Sequence, residues 1–108
     1  MIVTTTPTVS GREIIETLGL VRGSTVRGKH VGKDLMAFLR NLVGGEITEY
    51  SKMLAESREQ ALDRMIEDAE RLGANAIVSV LYSTSHITPG AAEILIYGTA
   101  VRLESGAR

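Results

Sequence analysis

Apolar side chains recur along this chain with two different periods. Between Thr48 and Leu72 the spacing is helical. At about 100° per residue, Leu54, Ala61, Met65 and Leu72 gather around one direction, while Glu56, Glu59, Asp63, Glu67 and Glu70 gather almost opposite. Gly73 stands where a left-handed C-terminal cap is expected. A second apolar face, made of Leu35, Met36, Leu39, Leu42 and Val43, predicts a shorter helix that Asp34 starts and Gly44-Gly45 stops.

After Asn75 the period changes to two. NAIVSVLYSTSHI and EILIYGTAVRL alternate like strands, and Pro89-Gly90 between them suits the corner of a type II turn. The pair predicts an antiparallel hairpin. On its first strand Ala76, Val78, Val80 and Tyr82 should face one way, with Ile77 and Leu81 facing the other. On its second, Ile94, Ile96 and Ala100 should oppose Leu95, Tyr97, Val101 and Leu103. Met1–Val3 predicts a short strand stopped by TTTPT, and Arg12–Val31 an extended segment bent at Gly19, Gly23 and Gly28. Both hairpin faces thus carry apolar side chains. An antiparallel sheet with helices on one side usually leaves the other side polar, so the second face should also be covered. In so short a chain, self-association is the simplest cover.

Composition narrows the picture further. The 108 residues form one domain, 1–108, with 44% apolar and 4% aromatic residues, so the core must be aliphatic. The absence of Cys removes disulfides, thiolate metal sites and cysteine nucleophiles, and it fits a cytoplasmic protein. No basic segment followed by a long apolar run marks a signal peptide, and no apolar stretch is long enough to predict a membrane span. The net charge of −1 gives no global attraction to nucleic acid.

Candidate chemistry is sparse. Gly23-x-x-x-x-Gly28-Lys29 opens like a phosphate-cradling loop, but His30 replaces the metal-binding hydroxyl and Val31-Gly32 delay the helix. The stretch reads instead as a glycine-bent strand running into a helix. Arg22, Arg27, Lys29 and Lys33 make it basic, yet no aromatics are interleaved for base stacking, so nucleic acid is not an expected partner. The acidic side of the long helix reads as a solvated face, because carboxylates along one straight helix cannot wrap an ion. Arg58 projects near the apolar side of that helix and should bridge to another element or subunit. His30 and His86 are the candidate metal ligands, too few in one chain for a zinc site unless a symmetric ring multiplies them. Ser85 and His86 are strand neighbours and point to opposite faces, so they do not pair as nucleophile and base.

VGGEITEY, ESREQALDRMIEDAERLGANAIVSV and YGTAVRL resemble the YbjQ-like family of small bacterial proteins, which carries a heavy-metal-binding label and no assigned reaction. The specific parts are Gly44-Gly45 with Tyr50, Arg58-Glu59 with Ala61, Leu72 to Ala76, and Gly98 to Val101. The resemblance implies an α+β fold similar to a dodecin subunit: a curved antiparallel β-sheet wrapping one long helix, plus a shorter helix. It further implies a homo-oligomer, in the form of a pentameric ring, and a divalent metal as the cofactor to look for, with no ligand set to carry over. The function expected is therefore a non-enzymatic oligomer that binds a metal ion or small ligand at subunit interfaces. An enzyme or enzyme accessory with an inter-subunit site is the alternative, and Tyr50, Arg58, Asn75 and Thr99 are the interfacial ligand-binding candidates.

Overall fold

A computed structural model of the chain describes residues 1–27, 47–88 and 91–105. Strand β1 spans Ile2–Val3, β2 Ile14–Arg27, helix α1 Ile47–Arg71, β3 Ala76–Thr88 and β4 Ala91–Leu103. The shorter helix expected over Leu35–Val43, the basic residues Lys29 and Lys33, His30, and the Pro89-Gly90 corner lie outside the described residues.

The four strands form one sheet in the order β1-β3-β4-β2. The sheet is mixed: β2, β4 and β3 are antiparallel neighbours, but β1 runs parallel to β3, pairing Ile2 with Ala76 and Val3 with Ile77. The expected all-antiparallel sheet is corrected at that edge. The crossing through α1 returns the chain to the starting edge of the sheet, which makes β1 and β3 parallel.

Helix α1 ends as its sequence predicts. Gly73 adopts φ +82°, its N–H donates to the Glu70 carbonyl at 3.0 Å, and the Ala74 N–H donates to the Ala69 carbonyl at 3.1 Å. Those two bonds make a Schellman cap, which satisfies carbonyls the last turn would otherwise leave open. The buried stripe of the helix is Ala61, Met65 and Ala69, flanked by Leu54, Leu62 and Ile66. Leu72, expected on that stripe, is 46% exposed because it lies beyond the last helical residue, where the chain turns away. Glu56, Glu59, Asp63, Glu67 and Glu70 are exposed, as the spacing requires.

One sheet face packs on α1 through Val21, Ile77, Val80, Ile94, Ile96 and Ala100. The opposite face has its own cluster, Ala76, Val78, Val101 and Leu103, covered by Ile2, Val9 and Ile14 from the start of the chain. On β4 the expected faces hold. On β3 they exchange midway: Val80 joins Ile77 against the helix, whereas Ala76 and Val78 face away. The cause is a β-bulge. Val78 pairs with Thr99 but Leu81 pairs with Tyr97, so Ser79 and Val80 together stand opposite Gly98. Ser79 takes φ 55°, and the N–H groups of Ser79 and Val80 are received by the carbonyls of Thr6 and Thr4 at 3.0 and 3.1 Å.

Where α1 crosses β2 the two backbones nearly touch. A Cβ on Gly23 would lie 2.5 Å from the Met65 nitrogen and closer still to the Ala61 carbonyl oxygen. Only glycine permits this approach, and the small Ala61 and Ala69 keep the helix low. Around the crossing, Thr25 Oγ1 donates to the Ser57 carbonyl at 3.3 Å. The Arg22 N–H donates to Asp68 Oδ2 at 3.4 Å, and Arg64 Nη1 donates to the Ser24 carbonyl. Side chains of α1 thus occupy backbone groups on the outer edge of β2.

Candidate functional site

Among the described residues three places could host chemistry, and they lie apart. The first is the sheet face turned away from α1. Cross-strand register aligns Leu20, Thr99 and Val78 in one row, Arg22, Tyr97 and Leu81 in the next, and Ser24, Leu95 and Ser83 in a third. The cover supplied by Ile2, Val9 and Ile14 reaches Val78 but not these rows as a whole. Leu20 remains 67% exposed and Leu81 55% exposed, with Leu95, Tyr97 and Thr99 half-buried between them. Scattered exposed leucines mean little, but apolar side chains aligned across three adjacent strands form one patch.

The second place is an open groove of about 640 Å³ on the helix side, lined by Lys52, Ala55, Glu56, Arg58, Glu59, Gln60 and Tyr82. Tyr82 reaches it because the bulge at Ser79 has turned the distal half of β3 around. Arg58 is exposed there rather than held near the apolar stripe. The third is a hollow of about 370 Å³ at the N-terminal segment, lined by Ile2, Thr4, Thr6, Thr8, Val9 and Ser10. Two of its hydroxyls are engaged locally: Thr4 Oγ1 and Thr6 Oγ1 are 2.8 Å apart, and Thr6 Oγ1 donates to the Thr8 carbonyl at 2.6 Å.

The four ligand-binding candidates are not brought together within one chain. Tyr50 lies in the first turn of α1, and Arg58 lines the groove. Thr99 sits on the opposite sheet face between Leu20 and Val78. Asn75 has a local role: its Nδ2 donates to the Leu103 carbonyl at 3.1 Å, and its Oδ1 accepts the Leu103 N–H at 2.7 Å. That reciprocal pair pins the end of β4 to the turn after α1. Among the described residues no group of three or more His, Cys, Asp or Glu side chains converges to hold a metal ion. His86 falls within β3. The sequence pattern missed the groove, because its far wall depends on the bulge and a strict alternation in β3 conceals one.

The fold defines a small α+β protein with a four-stranded mixed sheet and one long described helix. The profile of the YbjQ-like family, described as "Putative heavy-metal-binding", matches residues 1–104, and the chain belongs to that family. Its relatives come from archaea as well as bacteria, which corrects the expectation of a purely bacterial group. A UPF0145 protein of the archaeon Methanosarcina acetivorans is 60% identical over 103 residues, covering 95% of this chain and 97% of its own. A UPF0145 protein of Thermus thermophilus is 58% identical over 104 residues, covering 96% of this chain and 91% of its own. Neither name carries a reaction. A solved structure from Pediococcus pentosaceus, a protein of unknown function in the DUF74 family, superposes with a TM-score of 0.68 at 17% identity. It covers 96% of this chain and 98% of its own, which supports the fold alone. No described helix is long and apolar enough to cross a membrane.

Proposed function

We propose that the protein is a non-enzymatic homo-oligomer whose binding site lies between subunits and takes a metal ion or small ligand. The observation that carries the reading is the apolar patch that the described residues leave open on the sheet face away from α1, where Leu20 and Leu81 flank Leu95 and Tyr97. Fully burying a leucine side chain is worth roughly 1.5–3 kcal/mol, so two such residues in every subunit give a second copy substantial reason to cover them. The chain's own N-terminal segment already covers the neighbouring cluster in this manner, through Ile2, Val9 and Ile14.

The family description supports a metal as ligand. The described residues of one chain bring no ligand set together, so the metal reading assigns the site to a junction where several copies each contribute a group. Thr99 on the patch and Arg58 in the groove lie on opposite sides of the sheet, so they would face different junctions, and Arg58, a cation with donors only, suits an anionic small ligand rather than a metal ion. A pentameric ring of dodecin-like subunits is the assembly we adopt, on the strength of the family resemblance, and the absence of Cys supports a cytoplasmic setting. Native mass spectrometry of protein purified without chelator, combined with elemental analysis, tests both parts. The expected result is a mass of five chains with a stoichiometric metal; a single species at the 11.6 kDa of one chain would end the reading.

A further inference from the structure

Two apolar surfaces of this chain have no partner among the described residues. One is the patch on the sheet face away from α1, made of Leu20, Leu81, Leu95 and Tyr97. Val26 lengthens it: Val21 packs on α1 and Thr25 bonds to it, so alternation turns the exposed Val26 to the far face with Leu20. The other is the set Leu35, Met36, Leu39, Leu42 and Val43, which the sequence spaces as one helical face. An amphipathic helix gains most of its stability by burying that face. Elsewhere the described apolar surfaces are already filled. The sheet face toward α1 is occupied by α1, and the cluster of Ala76, Val78, Val101 and Leu103 by Ile2, Val9 and Ile14. The dimensions of the two remaining surfaces agree. Leu35 to Val43 spans about 12 Å as a helix, and the patch from the Leu20 row to the Ser24 row spans about 14 Å along the strands.

Chain length decides whose patch the Leu35–Val43 face can reach. Val43 precedes the first residue of α1, Ile47, by four positions, which an extended chain spans with at most about 14 Å. The patch lies on the other side of the sheet from α1. A layer packs about 10 Å from a sheet, so elements on its two faces lie about 20 Å apart. The direction of α1 widens the gap. Asp68, Arg64 and Ser57 meet Arg22, Ser24 and Thr25 in turn, so toward its start the helix runs away from Leu20 and toward the end of β2. A segment tethered to Ile47 falls short of the patch on its own sheet.

We infer that the apolar face Leu35–Val43 of one copy docks on the Leu20–Leu81–Tyr97 patch of the next copy. The inference rests on the homo-oligomer reading and names the contact that builds it. Two different surfaces meet, so the contact is head-to-tail, the kind that closes into a ring when the rotation allows. Neighbours in a ring of five meet in this way, each giving one surface and receiving the other.

The chain contains no Cys, so a pair of introduced thiols reports the contact. Leu39→Cys places one in the middle of the docking face. Ser83→Cys places the other in the third row of the patch, beside Leu95. The full chain carrying both substitutions is treated at micromolar concentration with a short bifunctional maleimide and separated under denaturing conditions. Light scattering before treatment gives the mass, and circular dichroism reports folding. Met36→Cys with Ser83→Cys is the second pair, and each single substitution is a control. Either pair should give a ladder of covalent species from two to five chains, whereas each single variant should stay at one. A pair linked only within its own chain would show that the face reaches its own patch, and covalent dimers from a single variant would show like surfaces meeting; each overturns the inference. Folded pairs that scatter as multimers yet give no ladder overturn it too and leave the oligomer reading standing. A protein that scatters as one chain ends both.

Discussion

Replacing Gly23 by alanine adds a single methyl group where the structure leaves no space for one. The new Cβ would lie 2.5 Å from the Met65 nitrogen, 2.9 Å from the Arg64 Cβ and closer still to the Ala61 carbonyl oxygen, whereas ordinary contact begins near 3.4 Å. The nearest of these are backbone atoms of a long helix, so no rotamer change relieves the overlap. The helix must rise from β2 by about 1 Å. That displacement loosens Ala61 and Met65, both fully buried, and stretches the Thr25–Ser57, Arg22–Asp68 and Arg64–Ser24 bonds. Overpacking a well-filled core costs about 1–3 kcal/mol, and a clash against backbone belongs at the upper end, near 3 kcal/mol. At roughly 4–8 °C per kcal/mol for a small domain, the melting temperature should fall on the order of 10–20 °C. Thermal unfolding followed by circular dichroism at fixed protein concentration reads this directly. A fall of less than about 3 °C would mean that α1 does not lie on Gly23, and the description of the helix–sheet contact would fail. Gly98→Ala is the graded comparison: its Cβ would meet Ile77 Cγ2 at 2.9 Å and the Val78 carbonyl oxygen and Val80 Cγ2 at 3.0 Å, overlaps less severe than those at Gly23. It should cost less.

Other substitutions separate structural from interfacial roles. Asn75→Ala removes both hydrogen bonds to Leu103 and leaves its backbone groups without those partners, so urea unfolding should show a loss of about 1–3 kcal/mol. Gly19→Ala meets no atom within 4 Å but forces alanine into φ +133°, and should cost roughly 1–3 kcal/mol through backbone strain alone. Arg58→Ala, at an exposed position, should leave unfolding free energy within about 0.5 kcal/mol while weakening assembly measured by sedimentation. If assembly is also unaffected, Arg58 has no interfacial role.

The sequence made the helix and the hairpin readable because each carries many residues of consistent period. A regular stripe of Ala61 and Met65 opposite a row of carboxylates admits one orientation, and Gly73 marks the end by its own backbone preference. The bulge at Ser79 was not readable. Val78, Val80 and Tyr82 continue the alternation begun at Ala76 without a break, and Ser79 adopts its unusual φ because Thr4 and Thr6 receive the adjacent N–H groups. A contact from the far end of the chain decided it. One trace did exist: Gly98, opposite the bulge, is the residue a crowded strand junction requires. The candidate site divides along the same line. Apolar residues on both hairpin faces were legible, and so was the need for a second cover. That the N-terminal segment would supply part of it depended on Ile2, Val9 and Ile14 folding back, which no local pattern announces. Asn75, a polar residue within a specific motif, also clamps the Leu103 backbone, a partner that no local pattern announces.

The association of subunits through the far side of the sheet is tested most directly by light scattering on the wild type and on Leu81→Asp, both at micromolar concentration. A multiple of 11.6 kDa for the wild type, falling toward 11.6 kDa in a variant that keeps its circular dichroism spectrum, is the expected pair of results. A wild type that scatters as one chain, or a folded Leu81→Asp whose mass does not change, would contradict the account.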